Sequence, residues 1–329
     1  MNDNTKLLED FPYESALVTG GAGFVGSHLC DALVTAGIKT VSVDDYIAGK
    51  SENLAHLHNY ENFTETNCDV SDLETLNAVV SDIDIIFHQA ASKKTVCLRD
   101  PRRDLKVNAE GTFNLLELAR DRGIKKFVHA STGSVYGEAK YWPQDENHPV
   151  GPTSYYGVSK LAGESYVGAF NHLYDLDTTI LRYFHVYGPR QEDGEFGGVV
   201  AIFARKLLAG LPLVIFGDGT QERSFTSVDD VVTANLKAAV TPKASGGIYN
   251  CASGIKITIE ELALEISRIA GVEEPSISYD DWTPGDIEKF DIDNSKICQD
   301  LEMEFEKDFS RGLGKTWEWF KDRAEGSNA

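Results

Sequence analysis

The sequence of 329 residues predicts an α/β fold with a doubly wound parallel sheet and a second, smaller α/β lobe. In the first half, short apolar runs rich in branched residues alternate with helix-period stretches, which is typical of buried parallel strands joined by helices. After about residue 182 this alternation is lost. We therefore expect one domain at 11–182 and a second lobe at 183–323, with part of 224–250 packing back onto the first.

Each predicted element has its own pattern. The buried strands are SALVTG, TVSVDD, IDIIFHQA, KKFVHAS and DTTILRYF. The segments GSHLCDALVTAG and NAEGTFNLLELARDRG repeat apolar residues at helical spacing, and the second ends at Arg122 and Gly123, a typical helix stop. In the second region, VVAIFARKLLAG and TIEELALEISRIAG predict helices, while LPLVIFGDGTQERSF predicts a strand that leads into a turn.

The composition restricts the classes of partner. Asp and Glu number 52 against 31 Lys and Arg, so the net charge is -21. Such a surface repels nucleic-acid phosphates and favours no binding to an anionic membrane. Five scattered cysteines without a CxxC pair predict neither a disulfide framework nor a zinc site, and no other metal site is indicated. Neither a signal-peptide pattern nor an apolar run of membrane length is visible, so a cytoplasmic location is expected.

A glycine-rich loop lies between the first predicted strand and the first predicted helix. In LVTGGAGFVGSHL, Gly20 permits a tight turn, Gly23 lets the backbone approach a pyrophosphate, and Gly26 lets the helix pack closely on the sheet. The N-terminus of the helix offers free N–H groups and a positive dipole end to phosphates. This pattern, between a strand and a helix, predicts a dinucleotide-binding site.

An acidic residue at the end of the second strand indicates which dinucleotide binds. Asp44, followed by its neighbour Asp45, ends VSVDD at the distance expected for a ribose-binding acid. At ~4 Å and an effective dielectric near 20, its carboxylate would repel a 2′-phosphate by about 4 kcal/mol. No arginine follows closely, so the sequence predicts NAD rather than NADP. Asp44 also fits a strand-end turn, and Asp69 fits either an adenine contact or a turn.

The stretch TSYYGVSK, at 153–160, pairs two tyrosines with one lysine. Residues four apart on a helix lie about 40° apart around its axis, whereas residues five apart lie about 140° apart. Tyr156 therefore shares a face with Lys160, and Tyr155 does not. A nearby ammonium lowers the pKa of a phenol, which makes Tyr156 the candidate base. The loop HASTGSVYGE offers hydroxyl groups that can orient a substrate alcohol for deprotonation by Tyr156.

Taken together, the chain resembles the extended short-chain dehydrogenase/reductase family. The resemblance is to its NAD-dependent nucleotide-sugar epimerase/dehydratase branch, including the 4-epimerases of UDP-glucose and UDP-glucuronate. It implies a Rossmann NAD-binding domain, a nucleotide-sugar-binding lobe, and a homodimer formed through helices near 105–122 and 154–174. The matching motifs, in family order, are TGGAGFVGSHL, FHQAA, VNAEGTFNLLE, STGSVYGE, YYGVSK, LRYFHVYGPRQ, GDGTQERSFTSVDDV and PGDIEKFDIDNSK.

The resemblance implies a role for each matched residue. The catalytic residues would be Thr132, Tyr156 and Lys160, with Tyr156 as the base and Lys160 both lowering its pKa and holding the nicotinamide ribose. The implied NAD contacts are Gly20, Gly23, Phe24, Val25, Gly26, Asp44, Asp45, Asp69, Val70, Ala90, Ala91, Lys93, Asn108, Tyr156, Lys160, Tyr183 and Val186. The implied substrate contacts are Lys93, Thr132, Gly133, Ser134, Tyr156, His185, Val199, Val214, Phe216 and Arg223.

Some of these positions also have purely structural interpretations. Val199, Val214 and Phe216 equally suit a hydrophobic core, and Arg223 suits a surface ion pair. Lys93, like its neighbour Lys94, also suits a solvated loop.

Two positions depart from the family pattern. His185 stands where asparagine or threonine is usual, and Thr283 stands where an arginine commonly grips the diphosphate. Loss of that arginine would weaken phosphate binding by about 1.5–3 kcal/mol. The identities of the sugar and of the nucleotide therefore stay open.

The loop after Thr132 favours one reaction within the family. The 4,6-dehydratases carry an Asp-Glu pair there and the decarboxylases usually keep a glutamate, whereas this chain has Gly133 and Ser134. We therefore expect 4-epimerisation, by transient oxidation at C4 with Tyr156 as base and hydride return to the opposite face. The alternatives are another NAD-dependent nucleotide-sugar oxidoreductase, dehydratase or decarboxylase, and a non-catalytic NAD-binding regulatory protein. The last is disfavoured because Thr132, Tyr156 and Lys160 are all present.

Overall fold

The computed structural model describes residues 3–92, 94–194, 197–282 and 290–326. The strands of these ranges are β1 Ser15–Thr19, β2 Lys39–Asp44, β3 Phe63–Asn67, β4 Ile85–His88, β5 Lys126–Thr132, β6 Thr178–Tyr183, β7 Val186–Tyr187, β8 Leu213–Phe216, β9 Glu222–Ser224, β10 Thr226–Ser227, β11 Gly247–Cys251, β12 Lys256–Thr258 and β13 Ile277–Asp280. The α-helices are α1 Asp3–Glu9, α2 Phe24–Thr35, α3 Leu73–Val79, α4 Lys94–Arg99, α5 Pro101–Leu105, α6 Gly111–Arg122, α7 Tyr155–Tyr174, α8 Val199–Leu208, α9 Val228–Val240, α10 Ile259–Ile269, α11 Ser295–Asp300 and α12 Phe309–Gly326. A π-helical turn, Lys106–Glu110, joins α5 to α6.

A sheet of seven parallel strands forms the centre of the molecule, in the order β11-β6-β5-β4-β1-β2-β3. This arrangement confirms the predicted doubly wound α/β fold. The chain runs from β1 outward through β2 and β3, and then returns to β4 on the other side of β1. In parallel α/β sheets, ligands bind outside the carboxyl ends of the strands at such a switch point. The site is therefore expected beyond Thr19 and His88, which are partners in the β1–β4 register.

Apolar clusters cover both faces of this sheet. On one face the core includes Leu29 and Leu33 of α2 and Val231 of α9. On the other it includes Leu115 of α6 and Val167 of α7. Because the central strands β1, β4 and β5 are covered on both sides, their residues are almost all buried, which explains the unbroken apolar runs in the sequence.

The last strand of the sheet comes from the C-terminal half of the chain. β11 pairs with β6, and α9, which precedes it, packs against α2 and β5. The Tyr13 hydroxyl also donates to the Ala239 carbonyl oxygen at 3.1 Å, which ties the segment before β1 to the end of α9. The division into 11–182 and 183–323 stays a prediction.

Beyond the sheet, α8, α10 and α12 pack around the small parallel pair β8–β13. Their shared core includes Ile215, Leu262 and Trp317. Helix α10 begins with a capping box, in which Thr258 and Glu261 each bond the other's backbone N–H. Across the described ranges, no helix combines the length and the apolar character needed to span a bilayer.

Candidate active site

A cavity of about 460 Å³ opens at the carboxyl ends of the central strands. Its wall takes residues from the loop after β1, the ends of β2, β4 and β5, and one face of α7. The predicted site residues in this wall are Gly20, Gly23, Phe24, Val25, Gly26, Asp44, Asp45, Val70, Ala90, Ala91, Tyr156, Lys160 and Tyr183.

The glycine loop forms a backbone cradle at one side of the cavity. Gly20 has φ of 65°, and a Cβ there would lie 2.7 Å from the Ala90 nitrogen. A Cβ on Gly26 would lie 2.0 Å from the Gly20 carbonyl oxygen, so α2 can approach the loop only with glycine at this position. Helix α2 begins at Phe24 in the cavity wall and presents its N-terminal N–H groups there. This narrow cradle fits the pyrophosphate of a dinucleotide.

Asp44 joins the end of β2 to the glycine loop. Its Oδ2 accepts from the Ala22 N–H at 3.0 Å, and its Oδ1 accepts from the Tyr46 N–H at 2.9 Å. Burial raises the pKa of Asp44, while the hydrogen bonds from these two N–H groups act in the opposite direction. The carboxylate is thus held in place in the cavity wall, next to the loop.

Tyr156 and Lys160 project into the cavity from the first turns of α7. The helix begins at Tyr155, where the Ser154 hydroxyl caps it by accepting from the Gly157 N–H at 3.1 Å. Lys160 is only 1% exposed, and its Nζ donates to the Ala130 carbonyl oxygen of β5 at 2.6 Å. Tyr155 is 59% exposed, as expected for a residue on a different face of the helix.

Burial dominates the acid–base properties of this pair. It raises the pKa of Tyr156 to about 12, and a hydrogen bond with Thr132 offsets this only in part. Burial also lowers the pKa of Lys160 to about 8, against the attraction of Glu164 and Asp104. The structure therefore does not show the implied lowering of the Tyr156 pKa by Lys160, because desolvation of the phenolate prevails.

The loop after β5 holds the predicted hydroxyl group beside Tyr156. Thr132 Oγ1 accepts from the Ser134 N–H at 3.1 Å, which fixes the hydroxyl at the strand end. A Cβ on Gly133 would lie 2.3 Å from the Phe184 ring. No larger side chain fits at this position unless Phe184 moves. Gly133 and Ser134 therefore put a hydroxyl group, and no carboxylate, directly after Thr132.

Three predicted cofactor contacts lie elsewhere than in the cavity wall. Asn108 lies behind it, where its amide bonds the Ser92 N–H at 2.9 Å, Asp104 Oδ1 at 2.9 Å and Ser159 Oγ at 3.0 Å. Val186 packs against the sheet core. Asp69 Oδ2 forms an ion pair with Arg103. Lys93 lies outside the described residues.

The predicted substrate residues cluster only in part. His185 has φ of 35°, and its ring centroid lies 5.9 Å from that of Phe225 and 5.1 Å from that of Phe290. The Arg223 guanidinium lies 5.5 Å from the centre of the same Phe290 ring. Arg223 is 5% exposed, so its interpretation as a surface ion-pair residue is wrong. His185 and Arg223 therefore both lie against the Phe290 ring.

The remaining substrate positions are distributed differently. Val199 packs against the core around α8, α10 and α12, in agreement with its structural interpretation. Phe216, at the end of β8, is exposed, and Val214 is half-buried in the same strand. Thr283 lies outside the described residues. No group of three or more His, Cys, Asp and Glu side chains in the described ranges could hold a metal ion.

Sequence reasoning missed Arg103, which lies in the cavity wall. Its Nη2 is 2.5 Å from Asp45 Oδ2, although the two residues are 58 positions apart in the chain. The sequence signal was limited to Asp100-Pro101, a typical helix start, and Asp100 does cap α5. No local sequence pattern indicates that Arg103 pairs with Asp45. Gln89 was also missed; its Oε1 accepts from the Tyr183 hydroxyl at 3.0 Å.

Comparisons with known proteins agree with this geometry. Residues 16–252 match the family model described as the NAD dependent epimerase/dehydratase family. A UDP-glucose 4-epimerase of Mycolicibacterium smegmatis is 38% identical, across 94% of this chain and 99% of its own. A UDP-N-acetyl-alpha-D-glucosaminuronate decarboxylase of Bacillus cytotoxicus is 33% identical, across 93% of this chain and 97% of its own.

A solved structure extends the likeness to three dimensions. The UDP-glucose 4-epimerase of Thermotoga maritima, crystallised with UDP-glucose, is 36% identical and superposes with a TM-score of 0.89. The match covers 94% of this chain and 99% of that one. From the family match, these relatives and the glycine cradle, we conclude that the chain belongs to the NAD-dependent epimerase/dehydratase family and uses NAD.

Proposed function

We propose that the chain is an NAD-dependent nucleotide-sugar 4-epimerase that acts, as a homodimer, on a UDP-hexose or UDP-hexuronate. The observation that carries this proposal is the chemistry at the β5 end of the cavity. Tyr156 and Lys160 supply a phenol and an ammonium in the wall, and Thr132, which is hydrogen-bonded to Tyr156, supplies a hydroxyl next to them. In the described part of the wall the acids are Asp44, Asp45 and Asp100, and they belong to the end of β2 and the start of α5.

These groups suit reversible oxidation of a secondary alcohol. Thr132, which is hydrogen-bonded to Tyr156, holds a sugar hydroxyl beside it, and Tyr156 in its phenolate form accepts the proton of that hydroxyl. When bound, NAD supplies a reversible hydride acceptor for C4. After the sugar has turned its other face, Tyr156 returns the proton to the C4 oxygen. The reaction therefore leaves the proton count unchanged and needs no second acid.

Enzymes of this family that catalyse dehydration or decarboxylation also have acidic side chains in the loop after the Ser/Thr position. In the dehydratase pattern, carboxyl groups follow the Ser/Thr position, and here Gly133 is packed against Phe184. An acidic side chain at 133 would have to displace that ring, so the loop favours the reaction that uses the hydroxyl groups alone. The relationship to a decarboxylase makes direct product analysis necessary.

The choice of a UDP-sugar is supported by relatives and by one buried cation. The M. smegmatis and T. maritima relatives are named for UDP-glucose, and the latter holds UDP-glucose in its crystal. Arg223 is buried against Phe290 and supplies a positive charge suited to a diphosphate. His185 also contacts this ring, which supports a role for it in the choice of sugar.

The test compares Tyr156→Phe with the matched variant Tyr155→Phe. Each protein is incubated with UDP-glucose and with UDP-glucuronate, and the products are separated by chromatography while absorbance at 340 nm is followed. We expect C4 inversion by the wild type without net NADH, a loss of about 10²- to 10⁴-fold in kcat for Tyr156→Phe, and little change for Tyr155→Phe. Near wild-type turnover by Tyr156→Phe, or release of CO₂ from UDP-glucuronate, would contradict the proposal.

A further inference from the structure

Arg103 bridges two strand ends at the side of the cavity farthest from Lys160. Its Nη2 lies 2.5 Å from Asp45 Oδ2 at the end of β2, and its Nη1 bonds Asp69 Oδ2 just after β3. Lys160 bonds β5 instead, on the other side of β4 and β1. The guanidinium therefore lies where Asp44 is expected to hold the adenosine ribose, and it lines the cavity together with Asp44 and Asp45.

The local structure places Arg103 firmly. Its backbone N–H donates to the Asp100 side chain at 3.0 Å, which caps α5. The next residue, Asp104, is buried and accepts from the Asn108 amide at 2.9 Å. The Arg103 side chain is 22% exposed, so its carboxylate contacts are partly shielded from solvent. Burial raises the pKa of Asp69, but hydrogen bonds from Arg103 and Ser71 outweigh it and lower that pKa.

Negative charges outnumber positive ones at this end of the cavity. Besides Asp100, which caps α5, it has the carboxylates of Asp44 and Asp45 in its wall and of Asp69 next to the wall, and Arg103 is the cation that the described structure places among them. A free arginine beside the ribose-binding acid is the usual partner of the 2′-phosphate of NADP. Here Nη1 and Nη2 of the guanidinium each bond a carboxylate, in a geometry that favours strong, charge-assisted bonds.

We propose that Arg103 is a cofactor-selecting residue, which Asp45 and Asp69 hold away from a 2′-phosphate and so make the site specific for NAD. NADP would have to bring its phosphate beside three carboxylates and compete with two of them for the one guanidinium. NAD needs neither, because the ribose hydroxyls donate to carboxylates. This proposal concerns the dinucleotide site alone and does not depend on which sugar or reaction the chain serves.

The test measures binding of NAD⁺ and NADP⁺ by titration calorimetry on protein freed of bound dinucleotide. The variant Asp45→Asn/Asp69→Asn keeps the shape of both side chains and releases the guanidinium. We expect its Kd for NADP⁺ to fall by about 10- to 100-fold, the effect of one charge-assisted phosphate contact. Adding Arg103→Ala to this variant should remove the gain in affinity for NADP⁺.

A matched control separates this effect from a general change in charge. Glu14→Gln/Asp82→Asn also removes two negative charges, but from exposed sites at the amino ends of the strands, opposite the cavity. It should leave both Kd values unchanged. The proposal is overturned if the released variant gains no NADP⁺ affinity, or if the gain survives Arg103→Ala. It is also overturned if the control gains as much. Should the double variant fail to fold, Asp45→Asn alone carries the same test with a smaller expected gain.

Discussion

The Lys160 ammonium donates to the Ala130 carbonyl oxygen at 2.6 Å and is almost wholly buried. One hydrogen bond to a neutral carbonyl does not replace the hydration that the ammonium loses. Burial accordingly lowers the pKa of Lys160 from 10.5 to about 8. Burial of this cation in the cavity wall therefore reduces the stability of the fold. It also leaves a positive charge about one helical turn from Tyr156.

This cost gives the stability of the chain a defined pH dependence. Because the folded pKa of Lys160 lies below the unfolded value, the unfolded chain binds more protons between about pH 8 and 10.5. The penalty, about 3 kcal/mol at most, is complete below pH 8 and disappears as the pH rises to 10.5. We expect Lys160→Met to unfold at higher urea than wild type at pH 7, with the difference shrinking above pH 8.

Lys125 provides a control of opposite sign. Its exposed ammonium lies 2.7 Å from Asp84 Oδ1, and the hydrogen bond to Asp84 raises its pKa. Lys125→Met should therefore lower the stability at neutral pH rather than raise it. A stability gain for Lys160→Met that does not vary between pH 7 and 10.5 would show that ammonium burial is not its cause.

The glycine cradle allows a paired prediction on two glycines in helices. A Cβ at Gly26 would lie 2.0 Å from the Gly20 carbonyl oxygen, whereas a Cβ at Gly168 on α7 meets nothing within 4 Å. Gly26→Ala should push α2 away from the loop, lower the unfolding free energy by about 1–3 kcal/mol and raise the Kd for NAD by about tenfold or more. Gly168→Ala should bind NAD normally and gain about 0.5–1 kcal/mol from its helical propensity.

Calorimetric titration with NAD and urea unfolding of both variants check this pair. Unchanged NAD affinity in Gly26→Ala would mean that the cradle tolerates a methyl group. It would also remove the structural basis for placing the pyrophosphate there.

Local patterns explain most of what the sequence could predict. The sheet strands, the glycine loop and the Tyr156–Lys160 face all depend on residues close together in the chain, so spacing was sufficient. Arg103, Phe184 and the pairing of β11 with β6 depend on contacts between distant segments. Such contacts leave no periodic signal. The pKa of Tyr156 was missed for the same reason, since its burial is produced by the assembled cavity wall.

A buried ion pair behind α7 is a further long-range contact. Arg182 of β6 donates to Glu164 of α7 through Nη2 at 2.7 Å and through Nε at 3.0 Å. Both side chains are almost fully buried, and the guanidinium also lies 4.6 Å from the Tyr136 ring centre. The pair therefore joins the helix that carries Tyr156 and Lys160 to the central sheet.

Removal of one partner should leave the other charge buried without its counter-ion. We expect Glu164→Gln and Arg182→Met each to lower the unfolding free energy by about 3–5 kcal/mol. The double variant should lose clearly less than the sum of the two, because no uncompensated charge remains. Urea unfolding of all four proteins measures this coupling, and additive losses would show that the pair does not act as a unit.

The proposed homodimer predicts an apolar face on α7 that a second subunit covers. Val158, Tyr166 and Leu173 are exposed, and their spacing of eight and seven residues places them on one side of the helix. Val158→Glu/Leu173→Glu should place charges inside the interface and halve the mass measured by light scattering, from about twice the 36.2 kDa of the chain to a single copy. Leu264→Glu, a change of the same kind at an exposed leucine of α10, should leave the mass unchanged. A wild-type protein of single-copy mass, or a dimer that survives both α7 substitutions, would exclude this face as the interface.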